Sequence, residues 1–235
     1  HDPGKTSCCT GAEIPGKPSM GSWLSYGLGS LNKDLPDFVV MPSAFWSGRV
    51  NVQALYSRLW GSGFLPSRHQ GTSFQTVGDP VLFLSNPKGI DSRVRRSMLD
   101  SLAQLNRKHL SEIGDPEIQT TIAQQEMAFR MQSSVPELTD VSGESKQVLE
   151  MYGPEVNKPG SYARNCLLAR RLAESGAAVI NVDATAPSDK STNFSWDDHA
   201  GPFHLVHANL ERFPLYDQAI TALIEDIHQR GLDKK

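Results

Sequence analysis

The chain has 235 residues, and its 23 lysines and arginines against 26 aspartates and glutamates give a formal net charge of −3. This length suits one large domain with a substantial buried core, and a hydrophobic share of 38% excludes a disordered chain. Charges of both signs are spread along the sequence, so we expect no nucleic-acid partner. The apolar stretches are too short to span a bilayer, so we expect no membrane span. Three cysteines, Cys8, Cys9 and Cys166, are too few for a disulfide framework and are expected to be small buried residues.

The first third of the chain predicts little regular structure. Pro18–Gly29 is typical of a short helix with a glycine-rich exit, and Asp37–Met41 is typical of a buried strand bounded by prolines. Residues 43–78 are expected to be irregular, with one helix near Val52–Trp60. Pro80–Leu84 predicts a second strand.

The middle third predicts two long helices. Asp91 is a plausible N-cap, Gly114 ends the first helix, and Asp115 followed by Pro116 begins the second. Helical spacing relates the apolar residues of the first helix, which are Met98, Leu99, Leu102, Leu105 and Leu110. Met127 and Met131 are expected to fill the core. Residues 133–160 are rich in glycine and proline and are expected to form a connecting stretch, with one short helix near Lys146–Tyr152.

The last third alternates between helix and strand. Tyr162–Glu174 predicts a helix, Ala177–Asp183 a strand, 184–202 a polar loop and Tyr216–Arg230 a further helix. This alternation favours an α/β sheet flanked by helices, with a functional site at the carboxyl ends of its strands.

The first candidate site is the beginning of the chain. If a helix starts near Pro3, Lys5 lies in its first turn, where a cation and free backbone N–H groups favour a phosphate or sulfate group. A loop with a solvated lysine explains the same residues equally well. Gly4–Thr6 also fits the tail of a phosphate-binding P-loop, which is a weak match.

The second candidate site follows the last predicted strand. Asp183 ends that strand, and the loop after it carries Asp197 and His199, so that carboxylate and imidazole ligands meet at a strand's carboxyl end. Such mixed ligands suit Zn²⁺, Mn²⁺ or similar ions. His204 and His207 are expected to lie on the surface of a short helix. The remaining histidines, His69, His109 and His228, are expected to be surface or structural residues.

Motifs along almost the whole chain resemble the bacterial family known as domain of unknown function 1501. They are Thr10–Ser30, Asp34–Met41, Leu59–Gly71, Asp79–Asp91, Glu126–Asp140, Tyr152–Pro154, Asn165–Gly176 and Trp196–His199. The resemblance implies an exported or periplasmic protein, since members often carry a twin-arginine signal. It also implies a fold of the alkaline phosphatase/sulfatase type, with residues 1–235 as a partial domain and 91–135 as a helical insertion or cap.

The sulfatase motif C-x-P-S-R-x-x-x-x-T-G resembles the first eleven residues. Pro3, Thr10 and Gly11 match it, and Lys5 stands where the motif's arginine binds the anion. The resemblance therefore implies a catalytic and substrate-binding role for Lys5 and a substrate contact for Thr10. His1 takes the position of the nucleophile, where it would contact a metal or the anion, form a phosphohistidine-type intermediate, or be merely structural.

The same superfamily places an Asp…His ligand pair after a strand, as Asp197 and His199 follow Ala177–Asp183. Its first metal-binding strand and its second ligand pair would fall before His1 and after Lys235. The resemblance thus implies a fragment that lacks both ends.

Together these inferences favour a metal-dependent hydrolase that acts on a phosphate or sulfate ester, either a small molecule or a polysaccharide. Asp197, His199 and Asp183 would hold a divalent metal, which would be Zn, Mn or Ca, and His1 and Lys5 would contact the transferred group. The alternative is a non-catalytic exported binding or surface protein with the same fold. The missing Cys or Ser nucleophile favours this alternative, whereas the Asp197/His199 pair disfavours it.

Overall fold

The computed structural model describes residues 2–30, 32–43, 56–75, 81, 85–184, 206 and 208–234. The predicted strand Pro80–Leu84 lies outside these residues except for Val81, as do His204, His207 and nearly all of the predicted loop 184–202. In the part of the chain that is described, the structure is mixed α/β and mostly helical, with a small parallel sheet.

The helices and strands follow in chain order. They are α1 (Asp2–Thr10), α2 (Met20–Leu28), β1 (Phe38–Pro42), α3 (Tyr56–Leu59), β2 (Thr72–Ser73), α4 (Ser92–Ile113), α5 (Pro116–Thr139), α6 (Lys146–Tyr152), α7 (Tyr162–Glu174), β3 (Val179–Asp183) and α8 (Phe213–Gln229). Short 3₁₀ turns cover Ser67–His69, Pro154–Asn157 and Leu232–Lys234, and a π-helical turn at Ala208–Arg212 precedes α8. No helix within the described ranges is long and apolar enough to cross a membrane.

The sheet has the order β2-β1-β3, and both pairings are parallel. Strand β1 is central and buried along its whole length. Its register with β3 runs from Phe38 beside Val179 to Pro42 beside Asp183. Because all three strands are parallel, their carboxyl ends lie together at one end of the sheet. We call this end, where the strands finish, the carboxyl edge, and the opposite end, where they begin, the amino edge.

Alternate residues of β1 point to opposite faces of the sheet. Val39 and Met41 belong to the main core, which α5, α6, α7 and α8 complete. Phe38 points to the other face, where α2 lies with its small residues inward: Gly21, Ser22 and Ser25 are buried. Small side chains on this face let α2 approach the Phe38 ring closely.

A buried arginine holds α7 and α8 together. The Arg170 side chain is 2% exposed and contacts Asp226 of α8 at 2.9 Å, Glu144 at 2.7 Å and Glu174 at 2.6 Å. The hydroxyl of Tyr152, at the end of α6, donates to Asp226 at 3.2 Å. Three carboxylates thus surround one guanidinium, which compensates the cost of removing it from water.

Helices α4 and α5 form an antiparallel hairpin. The Asp91 side chain caps α4, Gly114 ends it with φ +76°, and Asp115 caps α5. Arg96 of α4 pairs with Glu126 of α5 at 2.5 Å. Further along α5, Arg130 and Ser134 donate to the carbonyls of residues 33 and 34, which precede β1. These contacts bring α5 to the amino edge of the sheet, opposite the carboxyl edge.

Most predicted elements are confirmed, with α6 and α7 matching the predicted bounds. Three predictions are wrong in detail. The two-residue strand β2 falls in a stretch predicted to be irregular, α5 continues through Pro136 to Thr139, and α8 begins at Phe213 rather than at Tyr216.

Only some of the residues predicted to be buried are so. Cys166 is buried, and burial raises the pKa of its thiol to about 12, whereas Cys8 is exposed and Cys9 only half-buried. Met131 is in the core as predicted. On α4, for which the sequence predicts a helix but no particular buried face, Met98 and Leu105 are more than half exposed, because the helix packs on α5 through the side that carries the buried Ala103.

We expect Gly21→Ala to destabilise the protein by about 1–3 kcal/mol, the usual cost of overpacking a core. A Cβ at Gly21 would lie 2.3 Å from the Phe38 ring, which is 3% exposed and cannot move into solvent. Urea unfolding measures the loss. Gly27→Ala on the same helix is the matched control, since nothing lies within 4 Å of its Cβ position. Equal stability of both variants would contradict the close packing of α2.

Arg170→Met should cost about 3–5 kcal/mol, because it removes the most buried cation from three carboxylates and leaves them to Arg171 and Arg230, whose side chains are 22% and 34% exposed. The control Arg93→Met removes an arginine whose side chain is 93% exposed, and should cost less than about 1 kcal/mol. Chemical denaturation of both variants gives the comparison. A loss below about 1 kcal/mol for Arg170→Met would show that the cluster contributes little.

The same ion cluster determines how the stability of the fold changes as the pH falls. Burial raises the pKa of Glu144, but hydrogen bonds from Arg170 and Arg171 outweigh it, so the pKa lies below its ordinary value. This carboxylate therefore adds stability above about pH 4.3, and the contribution is lost as the pH falls through the lowered pKa. The melting temperature of Glu144→Gln should therefore lie furthest below that of the wild type near pH 7. Near pH 3 the two melting temperatures should differ least.

Candidate functional site

The candidate site lies at the carboxyl edge, where β1 and β3 end. The backbone N–H of Ser43 donates to the carbonyl of Asp183 at 3.0 Å, which extends the pairing of the two strands by one bond. Because Asp183 stands beside Pro42 in the register, its side chain points to the same face as Phe38 and Val40. Ser43 points to the opposite face, toward α7.

Helix α1 supplies the groups that face Asp183. Lys5 and Cys9 are four residues apart, which puts them on one side of α1, and both interact electrostatically with the Asp183 carboxyl. Burial raises the pKa of Asp183, and the charge of Lys5 opposes that rise. Burial, helped by the charges of Cys8 and Asp183, also raises the pKa of the Cys9 thiol. The edge therefore holds a partly buried carboxyl within the electrostatic influence of an ammonium group, and Cys9 is disfavoured as a thiolate nucleophile.

On the other face, Asn165 ties α7 to the end of β1. Its Nδ2 donates to the Ser43 hydroxyl at 2.7 Å and to the carbonyl of Pro42 at 3.2 Å, and the residue is fully buried. Its Oδ1 accepts no hydrogen bond from the residues that the structure describes. A buried oxygen without a donor costs free energy, and such groups are rare enough to need an explanation.

Thr10, predicted to contact substrate, lies at the end of α1. Its hydroxyl lies 2.8 Å from the carbonyl of Thr6 and 2.9 Å from that of Ala12, and the N–H of Ala12 donates back to it at 3.3 Å. The hydroxyl thus stabilises the helix end locally. Its contact with substrate stays a prediction.

Three predicted site residues, His1, Asp197 and His199, lie outside the described residues. Of the predicted set, Lys5 and Asp183 interact electrostatically with each other. Within the described ranges, no group of three or more His, Cys, Asp or Glu side chains is arranged to hold a metal ion.

A cluster of Ser25, His69 and Asp37 lies away from the carboxyl edge, on the inner side of α2. The hydroxyl of Ser25 lies 3.1 Å from Asp37 Oδ2 and 2.9 Å from His69 Nδ1, and Arg68 Nε donates to His69 Nε2 at 3.0 Å. One arrangement of protons satisfies all three bonds: His69 donates through Nδ1 to Ser25, and Ser25 donates to Asp37. Burial and the charge of Arg68 lower the pKa of His69, although Asp37 opposes the shift, so the ring is held neutral.

This set is structural rather than nucleophilic. In a catalytic triad the histidine lies between serine and aspartate, whereas here the serine lies between the other two. Ser25 is also 1% exposed, so that a substrate cannot reach its oxygen. The expectation that His69 is a structural residue agrees with these contacts.

A groove of about 360 Å³ lies at the amino edge. Its lining includes Asp34, Arg171 and Glu174, and each of them is already in an ion pair, with Arg130, Glu144 and Arg170 respectively. Charged groups that satisfy one another have little left to offer a ligand. The carboxyl edge is therefore the better candidate.

Sequence reasoning missed Asn165 and Ser43. Both lie in stretches whose pattern predicts ordinary structure, and 122 residues separate them along the chain. The one signal for Ser43 was its position directly after a buried strand. Nothing in the pattern of α7 distinguishes Asn165 from a surface polar residue.

Comparison with known proteins gives one finding. The model of a family described as "Protein of unknown function (DUF1501)" matches residues 1–235. No curated protein and no solved structure matches the chain significantly.

We expect Asp183→Asn to raise the melting temperature at pH 7.5 in the presence of a chelator. Because the folded-state pKa of Asp183 is raised, its contribution to stability is present below its ordinary value of about 3.9 and is lost as the pH rises through the raised pKa. The neutral amide removes that loss. A rise of about 2–4 °C corresponds to about 1 kcal/mol in a chain of this size.

The advantage of Asp183→Asn should disappear near pH 3, where the wild-type carboxyl is protonated in both states. Asp217→Asn, at an exposed position of α8, is the control and should change the melting temperature little. A lower melting temperature for Asp183→Asn at pH 7.5 would mean that the ionised carboxylate stabilises the fold.

Proposed function

Since the chain belongs to the DUF1501 family, whose description assigns no reaction, we propose from its own residues that it is a metal-dependent hydrolase of phosphate or sulfate esters. The observation that carries the proposal is the partly buried Asp183 at the carboxyl end of β3, which interacts electrostatically with Lys5 of α1. The proposal includes an alkaline phosphatase/sulfatase-like fold, of which residues 1–235 form a part, and an exported or periplasmic location.

The opposite charges of Lys5 and Asp183 at the carboxyl edge favour the binding of a metal ion together with an anionic ester. An anionic ester attracted to Lys5 also meets the Asp183 carboxylate, and the repulsion between two anions opposes binding unless a cation lies between them. A divalent cation would also lower the raised pKa of Asp183 and thereby favour the carboxylate that binds it. The same pair of residues thus fits a site shared by a metal ion and an anion.

Asp183, Asp197 and His199 are the proposed ligands. Their carboxylate oxygens and imidazole nitrogen suit Zn²⁺ or Mn²⁺, and a more oxygen-rich set would suit Ca²⁺. When bound, such an ion supplies a Lewis acid that polarises the ester oxygens or generates a nucleophilic hydroxide from water.

The remaining roles belong to the chain's own groups. Lys5 neutralises charge on the transferred phosphoryl or sulfuryl group, and His1 contacts the metal or the anion. Asn165 positions Ser43 and hence the end of β1 against Asp183. The α4–α5 hairpin meets the amino edge, so we do not include it in the proposed site.

The test measures metal binding and hydrolysis separately. We expect Zn²⁺ or Mn²⁺ to raise the melting temperature of the purified protein, since a ligand that binds only the native state stabilises it. The same ion should support hydrolysis of p-nitrophenyl phosphate or p-nitrophenyl sulfate. Asp197→Ala and His199→Ala should abolish the shift and lower kcat/KM by about 100-fold or more, as expected when a metal ligand or charge-stabilising group is lost.

His228→Gln is the control, because His228 is exposed near the end of α8, where it contacts Asp233. It should keep both the metal-dependent shift and the activity. A shift without hydrolysis of either ester would support the alternative of a non-catalytic binding protein. Neither a shift nor hydrolysis with any of Zn²⁺, Mn²⁺ and Ca²⁺ would overturn the proposal.

A further inference from the structure

Helix α2 buries only small residues of its own. Gly21, Ser22 and Ser25 are buried, whereas Leu28, near the carboxyl end of the helix, is 76% exposed. A nine-residue helix is marginal by itself in water, so α2 depends on the groups that fix its inner side. In the second half of the helix, Ser25 is the buried residue, and its hydroxyl contacts His69.

The hydrogens of the cluster around Ser25 fit in one arrangement. Arg68 Nε always carries a hydrogen and donates it to His69 Nε2 at 3.0 Å, so Nε2 has to offer a lone pair. In the neutral ring the hydrogen then lies on Nδ1, which donates to the Ser25 hydroxyl at 2.9 Å. Ser25 in turn donates to Asp37 Oδ2 at 3.1 Å. The cluster is therefore complete only while His69 is neutral.

Protonation of His69 would break the cluster at Nε2. This atom would then carry a hydrogen that points at the Nε–H of Arg68, so that two donors and two positive charges would face each other. Arg68 is exposed and can turn away, but His69 is 7% exposed, and its new N–H group would be buried without an acceptor. The turn Ser67–His69 has to move outward for this group to reach water, which separates His69 from Ser25.

The charges beside the ring act in opposite directions. The negative charge of Asp37 favours a protonated ring, but the Ser25 hydroxyl lies between the two groups. Burial and the positive charge of Arg68 outweigh it, so the pKa of His69 lies below its ordinary value. The shift has the sign that the hydrogen-bond arrangement requires.

The helices that pack around the turn leave this balance unchanged. From α2, the Tyr26 ring meets the imidazole edge-on, with 5.4 Å between the ring centroids. From α5, the Glu117 carboxylate accepts from the Ser67 hydroxyl at 2.9 Å, at the other end of the turn. Arg68 and Asp37 are thus the charged groups that act on His69.

We propose that the Ser25–His69 contact is an acid-sensitive switch, which holds α2 on the sheet while His69 is neutral and releases it when His69 is protonated. The contact is at full strength above about pH 6.5, the ordinary pKa of histidine. As the pH falls from there toward the lowered pKa, the released form binds a proton that the closed form does not. The release equilibrium therefore shifts by up to about tenfold per pH unit. Because Gly21 lies against the Phe38 ring, release uncovers that face of the sheet.

Amide hydrogen exchange of the whole chain between about pH 7.5 and 5.0 tests the proposal, after correction for the intrinsic exchange rate at each pH. Below about pH 6.5 the protection of residues 20–28 should fall relative to that of α7, by up to about tenfold per pH unit. His69→Asn keeps an N–H group near Ser25 and takes up no proton in this range, so its ratio should stay constant. His228→Gln removes an exposed histidine of α8 and should behave as the wild type does. A wild-type ratio that does not change with pH would overturn the proposal, as would a change that His69→Asn retains.

Titration of the His69 ring, followed by NMR, gives a second test that leaves the buried histidine in place. Arg68→Ala removes the opposing donor and charge and should raise the pKa of His69. Asp37→Asn keeps an oxygen that accepts from Ser25 but removes the favourable charge, and should lower the pKa further. Arg93→Ala removes an arginine whose side chain is 93% exposed on α4 and should change nothing. Shifts of the first two variants in the same direction, or a wild-type midpoint at or above about 6.5, would contradict the switch.

Discussion

The buried guanidinium of Arg170 is the interaction on which the arrangement of the helices depends. Its three carboxylate partners come from α7 itself, from α8 and from the turn before α6. A charge in this position is stable only when all partners are present, so the helices have to meet at one defined angle and height. Helix α7 is therefore fixed at the level of Arg170.

The fixed position of α7 also determines the geometry of the candidate site. Asn165 lies on the same helix, five residues before Arg170, and its amide nitrogen donates to the last residues of β1. Because a helix is stiff over so short a distance, the ion cluster on one side and the amide on the other place α7 against the sheet. The end of β1 in turn bonds to Asp183. The geometry of the carboxyl edge is thus a consequence of contacts made in the core.

Local signals predicted the fold well where they were strong. The capping side chains of Asp91 and Asp115 and the left-handed Gly114 located α4 and α5, because these groups satisfy backbone atoms at the helix ends regardless of tertiary context. The short strand β2 has no periodicity to detect. The glycine and proline content predicts a connecting stretch from residue 133 onward, but α5 continues through Pro136, with Val135 and Leu138 buried on either side of it.

The candidate site was only partly predictable. A carboxylate at the end of a predicted strand identified Asp183, which interacts electrostatically with Lys5 in the structure. The amphipathic pattern of α4 predicted a helix correctly but gave no indication of which apolar face would be buried. Arg170 escaped prediction because two of its three partners lie 26 and 56 residues away, a distance at which sequence spacing carries no information.

The position of β1 in the sheet has a consequence for how the chain folds. Its residue Phe38 pairs with Val179, 141 residues later, and the helices that cover the Val39 and Met41 face of β1 also come after residue 115. During synthesis this fully buried apolar strand leaves the ribosome long before its neighbour β3 exists. At about 5–20 residues per second, that interval lasts roughly 7–30 seconds. Over that time an unpaired, fully apolar strand edge is open to wrong partners, and the nascent chain becomes a natural client for chaperones.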